Sequence, residues 1–192
     1  MKKIGITGSL ASGKTTASRI LAQKYGPLFS ADNVVKKLYN NSSFKRLIKK
    51  KFKIKNKSNI KKILKIKISK QEINIKKLEK IIHPIVRKEM QVFTRKNKRA
   101  KFVFFEIPLL IESKLYNKFD IIFFIKSKKI IRLKRFISKG GNKRLFQILN
   151  NKQLNDVKKI KFCDYIIVND KNIKFLKQNL LDIFKNYARN IS

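Results

Sequence analysis

Gly8-Ser9-Leu10-Ala11-Ser12-Gly13-Lys14-Thr15 decides the reading of this chain. These residues fit G-x-x-x-x-G-K-[ST] in full, and their surroundings fit as well. Lys2-Lys3-Ile4-Gly5-Ile6-Thr7 before them is a short β-prone run, and Thr16 to Lys24 after them carries Ala17, Ile20, Leu21 and Ala22 at helical spacing. Glycines permit a tight loop whose amides converge, and the N-terminus of the following helix adds positive potential, so the loop suits phosphate oxygens. The pattern assigns the β- and γ-phosphates to Lys14 and a Mg²⁺ ligand to the Thr15 hydroxyl. A strand–helix turn that binds nothing is the simpler alternative. The complete pattern between a strand and a helix favours binding of a nucleoside triphosphate over it.

Outward from this loop, Gly26-Pro27 ends the first helix, and Leu28-Phe29-Ser30-Ala31 reads as a second short strand ending at Asp32. Asn33 to Tyr39 and Phe44 to Phe52 read as helices. From Lys49 to Lys77 the composition is dominated by Lys, Ile and Asn, yet Ile60, Ile63, Leu64, Ile73, Ile75, Leu78, Ile81 and Ile82 supply apolar faces. That pattern predicts a lysine-coated helical insertion. His83-Pro84 is read as the start of a helix running to about Lys98, because proline suits a first helical position. Lys101 to Ile107 and Asp120 to Ile125 are the continuous apolar runs of strands buried on both faces. Helices are expected over Lys128–Ser138, Lys143–Asn150, Asn151–Phe162 and Ile173–Arg189, a loop at Gly140-Gly141, and a last strand over Asp164–Asn169. Five short strands alternating with helices predict an α/β fold, a parallel sheet covered by helices on both faces.

The length of 192 residues suits one domain with a small insertion. A hydrophobic fraction of 43% excludes a disordered basic tail, and the lone Cys163 excludes an internal disulfide. No run of about 18 apolar residues is present, since the best candidate, Phe102 to Ile111, is broken by Glu106 and Pro108. The expected setting is cytoplasmic, without membrane contact. The 50 Lys and Arg against 11 Asp and Glu, a net charge of +39, invite a nucleic-acid reading. Only 9 of those cations are Arg, the residue that reads phosphate forks and base edges. Lys, Ile, Asn and Phe share AT-rich codons, so compositional bias explains the charge without a dedicated nucleic-acid partner.

Asn151-Lys152-Gln153-Leu154 begins like a guanine-recognition motif, but Leu154 fills the position that needs Asp. A motor ATPase needs more chain than this, which leaves a small phosphotransferase. For Asp32, at the end of the second strand, the residues alone leave a catalytic base and a helix N-cap equally open. Pro108-Leu109-Leu110 is equally open between strand-end core and an acceptor pocket. Glu106 is read as a tolerated strand-end carboxylate in preference to a holder of metal-bound water, and Cys163 as a buried small hydrophobe.

The sequence resembles the dephospho-coenzyme A kinases nearly end to end. Ile6-Thr7-Gly8 with Ser12-Gly13-Lys14-Thr15-Thr16 is similar to the family's phosphate loop, and Ser30-Ala31-Asp32 to its Asp-Ala-Asp segment. Leu78 with His83-Pro84 resembles the start of its acceptor-side helix, and Pro108-Leu109-Leu110-Ile111-Glu112 is the most distinctive match. Arg135, Gln153, Cys163-Asp164-Tyr165 and Asn169 fit its later segments. Two departures stand out: Ser30 replaces the first Asp, and Lys139-Gly140 replaces the Arg-Asp pair of the lid.

The resemblance implies a P-loop kinase fold with a core over about residues 1–39 and 99–192, a helical acceptor-side insertion over about 40–98 and a lid over about 136–150. It implies transfer of the ATP γ-phosphoryl group to the ribose 3′-hydroxyl of dephospho-CoA, the last step of coenzyme A synthesis, with Mg²⁺. Ala11, Ser12, Gly13, Lys14, Thr15, Thr16, Arg135 and Lys139 are then expected to bind ATP, with Lys14 also catalytic. Asp32 is expected to be the base and to contact the acceptor together with His83, Pro108, Leu109 and Leu110. The expected partners are ATP and dephospho-CoA, on a monomer or weak homo-oligomer. A nucleoside or nucleoside-monophosphate kinase, or an ATP-binding module with nucleic-acid affinity, are the alternatives.

Overall fold

The computed structural model of the chain describes residues 1–54, 59–70 and 72–190, so part of the expected insertion, residues 55–58 and 71, lies outside the described residues. Five strands, β1 (Lys2–Gly8), β2 (Leu28–Ser30), β3 (Phe102–Glu106), β4 (Ile121–Lys126) and β5 (Tyr165–Val168), form one sheet in the order β2-β3-β1-β4-β5. Every neighbouring pair is parallel. β1 is central, with Ile6 opposite Glu106 of β3 on one side and Phe123 of β4 on the other. The chain moves to opposite sides of β1 after it, which opens a crevice at the carboxyl ends of the strands where ligands bind in such sheets.

The helices are α1 (Lys14–Tyr25), α2 (Ala31–Leu38), α3 (Ser42–Lys51), α4 (Ile60–Ser69), α5 (Ile75–Lys96), α6 (Lys129–Ile137), α7 (Lys143–Asn151), α8 (Asp156–Ile160) and α9 (Ile173–Arg189). A 3₁₀ turn covers Tyr116–Lys118. The chain divides into two compact units, residues 1–30 with 97–192, and residues 31–96.

In the first unit, Ile4, Ile6, Phe102, Phe104, Phe123 and Ile125 bury one sheet face against Ala17 and Leu21 of α1 and Leu176, Leu180 and Phe184 of α9. Phe184 is wholly buried and meets the rings of Tyr25, Phe102, Phe104 and Phe123. Its truncation to Ala costs about 3–5 kcal/mol. The opposite face carries Val103, Phe105, Ile122 and Phe124, all buried, which explains why β3 and β4 read as unbroken apolar runs.

The second unit is helical. Phe44, Ile48, Ile54, Ile60, Leu64, Ile68, Ile73, Leu78 and Ile82 form its core, so the apolar positions hidden among the lysines are the ones that pack. Asn41 caps α3 through the Phe44 amide at 2.9 Å, and Asn59 caps α4 through the amides of Lys61 and Lys62.

Three boundaries differ from the sequence reading. Pro84 does not open a helix; it lies inside α5, which begins at Ile75 because burial of Leu78 and Ile82 extends the helix upstream. Ala31 leaves the strand and begins α2, so Asp32 sits in the helix's first turn instead of capping it. The helix expected over Asn151–Phe162 shrinks to Asp156–Ile160, capped by Asn155 Oδ1 on the Val157 amide at 2.9 Å.

Candidate active site

The loop between β1 and α1 has the backbone that its glycines require. Gly8 and Gly13 have φ of 150° and 100°, and Ala11 between them has φ 59°. A Cβ on Gly8 would meet Ile125 O at 2.4 Å, and one on Gly13 would meet Asn169 Nδ2 at 2.1 Å, so neither position admits a side chain. The Ser12 amide donates to Ser9 O at 3.1 Å and closes the turn. Gly13 leads into α1, whose first residue is Lys14. Lys14 is 8% exposed, and its Nζ donates to Ser9 O at 2.8 Å, holding an ammonium over the loop. Ser12 is wholly buried, Thr15 is exposed, and Thr16 is half-buried. Lys14 and Thr15 therefore stand at the helix N-terminus, where backbone donors and the dipole favour anions.

Beside the loop lies a carboxylate that the sequence reading undervalued. Glu106, at the end of β3, is 1% exposed. Its Oε1 accepts from the Thr15 hydroxyl, and its Oε2 accepts from Ser30 Oγ at 2.9 Å. The parallel register puts Ser30 directly opposite Glu106 and Glu106 opposite Ile6, two residues before the loop opens. An enclosed carboxylate needs such donors or a cation. The signal was present in the sequence: a lone Glu ending an otherwise apolar strand.

Side chains from later in the chain hold the loop from outside. Asn169 Nδ2 donates to Ser12 O at 2.8 Å. The Leu10 amide donates to Gln153 Oε1 at 2.9 Å, and the Ser9 hydroxyl donates to Asp156 Oδ1. Arg132 is 6% exposed and donates to Ser127 O at 3.1 Å, to Leu10 O at 3.3 Å and to Asn150 Oδ1 at 2.8 Å. Burial draws its guanidinium below the ordinary arginine pKa, and the Asp156 carboxylate opposes that shift. Arg135, the arginine singled out from the sequence, is half-buried; it donates to Ser127 Oγ at 3.3 Å and Asn169 O at 3.0 Å. Arg132 and Asp156 went unnoticed, although an Arg among lysines, three positions before another on one helix, marks a face that needs a planar fork. Lys139 is exposed, at the turn that follows α6.

The expected acceptor residues are distributed across the chain. Pro108 accepts a hydrogen bond at its carbonyl from Thr7 Oγ1 at 3.3 Å, and Pro108 and Leu109 are half-buried. Leu110 is wholly buried, its Cδ1 lying 2.9 Å from the point a Gly5 Cβ would occupy. Asp32 is exposed in α2, and His83 is half-buried in mid-α5; both belong to the second unit. Cys163 is half-buried, its Sγ donating to Lys159 O at 3.2 Å, and burial pushes its thiol up to about 12, which makes it unreactive. No cluster of three or more His, Cys, Asp or Glu able to hold a metal occurs among the described residues.

The sequence model of the family described as dephospho-CoA kinase matches residues 2–174. A dephospho-CoA kinase of Bartonella quintana is 35% identical over 196 residues, covering 99% of this chain and 100% of that protein. One from Rickettsia typhi is 33% identical over 187 residues and 97% of each chain. Among solved structures, dephospho-CoA kinase from Campylobacter jejuni aligns with a TM-score of 0.66 at 25% identity, over 99% of this chain and 98% of that one.

Proposed function

The chain belongs to the dephospho-CoA kinase family, and from that premise we propose that it moves the ATP γ-phosphoryl group to the ribose 3′-hydroxyl of dephospho-CoA, giving ADP and coenzyme A. It is a kinase, and its fold is that of the P-loop kinases. The observation that carries the chemistry is the meeting of buried Lys14, the Thr15 hydroxyl and the Glu106 carboxylate at the carboxyl edge of the sheet. The acceptor rests on family membership.

In this reading the amides from Ala11 to Thr16 cradle the ATP phosphates and Lys14 leaves Ser9 O to meet the β- and γ-oxygens. The hard oxygens of Thr15 and Glu106 suit Mg²⁺, which keeps most of its waters and takes one or two protein ligands. The metal supplies charge neutralisation on the phosphates. Glu106 orients the Thr15 hydroxyl, and Ser30 holds Glu106 from the other side. Arg135 and Lys139 add positive charge from the lid side, over about residues 136–150. Asp32 accepts the proton of the ribose 3′-hydroxyl as that oxygen bonds to the γ-phosphorus and the bond to the β-bridging oxygen breaks, releasing ADP. His83, Pro108, Leu109 and Leu110 are the residues proposed to bind the acceptor, Leu110 from a buried position. The setting proposed is the cytoplasm. No helix among the described residues is long and apolar enough to cross a membrane.

The test is an acceptor panel with ATP and Mg²⁺. Dephospho-CoA should give equimolar ADP and coenzyme A, and nucleosides and nucleoside monophosphates should give little turnover. Folded protein that ignores dephospho-CoA or prefers a nucleoside monophosphate overturns the assignment. Asp32→Asn should lower kcat by about 10²-fold with little change in stability; unchanged turnover removes Asp32 as the base.

A further inference from the structure

Lys159 is the most enclosed cation described in this lysine-coated chain, 0% exposed on the short helix α8. Its Nζ lies 2.6 Å from Glu112 Oε1. Lys159 Nζ and Glu112 Oε2 are otherwise buried without hydrogen-bond partners among the described residues. Such a pair adds little net stability, because desolvation offsets most of its attraction. What it does provide is position: it ties α8 to the Pro108–Glu112 turn that follows β3. Glu112 Oε1 also accepts from the Leu154 amide at 3.2 Å, so the same carboxylate grips the turn before α8.

That turn and helix carry the two side chains that reach the crest of the phosphate loop. Gln153 accepts from the Leu10 amide, and Asp156, one helical turn before Lys159, accepts from the Ser9 hydroxyl. The Leu10 carbonyl is held by Arg132, itself bonded to Asn150 at the end of α7. The Ser9 hydroxyl and both backbone polar groups of Leu10 are thus fixed just before Ala11, whose left-handed φ of 59° is unfavourable for a residue with a Cβ and needs outside support.

We propose that residues 153–159 form an outer brace of the phosphate loop, with Gln153 and Asp156 as positioning residues for ATP binding and the Lys159–Glu112 pair as the anchor of the brace. The brace acts through the loop and touches no phosphate. This rests on the reading of Gly8–Thr15 as the ATP site. Its consequence is specific: loosening the brace should weaken ATP binding while leaving the transfer step itself nearly intact.

The experiment uses the full chain, with ATP-analogue affinity measured calorimetrically beside steady-state kinetics and thermal unfolding. Gln153→Ala and Asp156→Ala should each raise Kd for the analogue and KM for ATP about 5- to 20-fold, the scale of one lost hydrogen bond, with kcat changed less than about 3-fold. Asp156→Asn, which keeps the acceptor oxygen for Ser9, should stay within about 3-fold of the parent. The double variant Glu112→Gln/Lys159→Met, which leaves no buried charge unpaired, should remain folded and show the same ATP defect. Parent-like affinity and KM in both alanine variants, or a fall in Tm with no shift in affinity, overturns the brace while leaving the ATP site intact. A parent chain that binds no ATP analogue overturns both.

Discussion

A carboxylate enclosed at the end of a parallel strand must find donors or a cation, and Glu106 finds the hydroxyls of Thr15 and Ser30. Ser30 stands where the family pattern has Asp. A second carboxylate at that place would face Glu106 at hydrogen-bond distance and repel it; serine donates instead, leaving one negative charge at the proposed metal position. Glu106→Gln should therefore reduce kcat/KM by about 10²-fold and move the Mg²⁺ dependence to higher concentration, since the charge is lost and one hydroxyl must turn. A metal titration of the variant checks this; an unchanged Mg²⁺ midpoint contradicts a role for Glu106 at the metal. The phosphate loop was legible from spacing alone because its chemistry is local. Glu106 was visible only as an oddity, since its meaning lies in Thr15 and Ser30, which are 91 and 76 residues away in sequence.

At the scale of elements, β3 and β4 could be read directly because burial on both faces demands an unbroken apolar run. The packing positions of the second unit were readable from their isoleucine spacing, although the starts of α2 and α5 were not. The failures share one cause, a distant or cooperative constraint that overrides a local signal. Gln153 turns toward Leu10, 143 residues earlier, and the chain breaks at residues 152–155 before α8 begins. Pro84 is a strong start signal, yet α5 runs through it because Leu78, Ile82 and Met90 on its buried side reward the longer helix. The proline leaves the Lys80 carbonyl without its helical N–H partner and crowds it. Pro84→Ala should thus stabilise the chain by about 1–3 kcal/mol, read as a higher denaturant midpoint. If His83 beside it binds the acceptor as proposed, the same variant should raise KM for dephospho-CoA severalfold with KM for ATP unchanged. A fall in stability would show that the proline is accommodated without strain.

For the whole molecule, the question is what a net charge of +39 does for an enzyme whose two proposed substrates are polyanions. The cations with assigned contacts near the loop are few: Lys14, Arg132 and Arg135. The remaining lysines are mostly exposed and act through the summed field, which salt screens with a Debye length of about 30 Å at 0.01 M and about 8 Å at 0.15 M. A field of this kind changes encounter rates and leaves bound-state chemistry alone. Raising ionic strength from about 0.02 to 0.2 M should therefore lower kcat/KM for ATP and for dephospho-CoA severalfold while kcat stays level. Lys→Gln changes at a few exposed positions, such as Lys61 and Lys177, should flatten that dependence without touching kcat. A dedicated nucleic-acid surface predicts the opposite emphasis: duplex binding that persists at 0.15 M salt with a log-log slope set by the number of phosphates contacted. Arginine scarcity argues against it, because lysine point charges hold phosphates without the bidentate geometry that survives screening. Binding to a DNA duplex should accordingly fade by about 0.15 M, and tight binding there would assign the lysine coat a partner of its own.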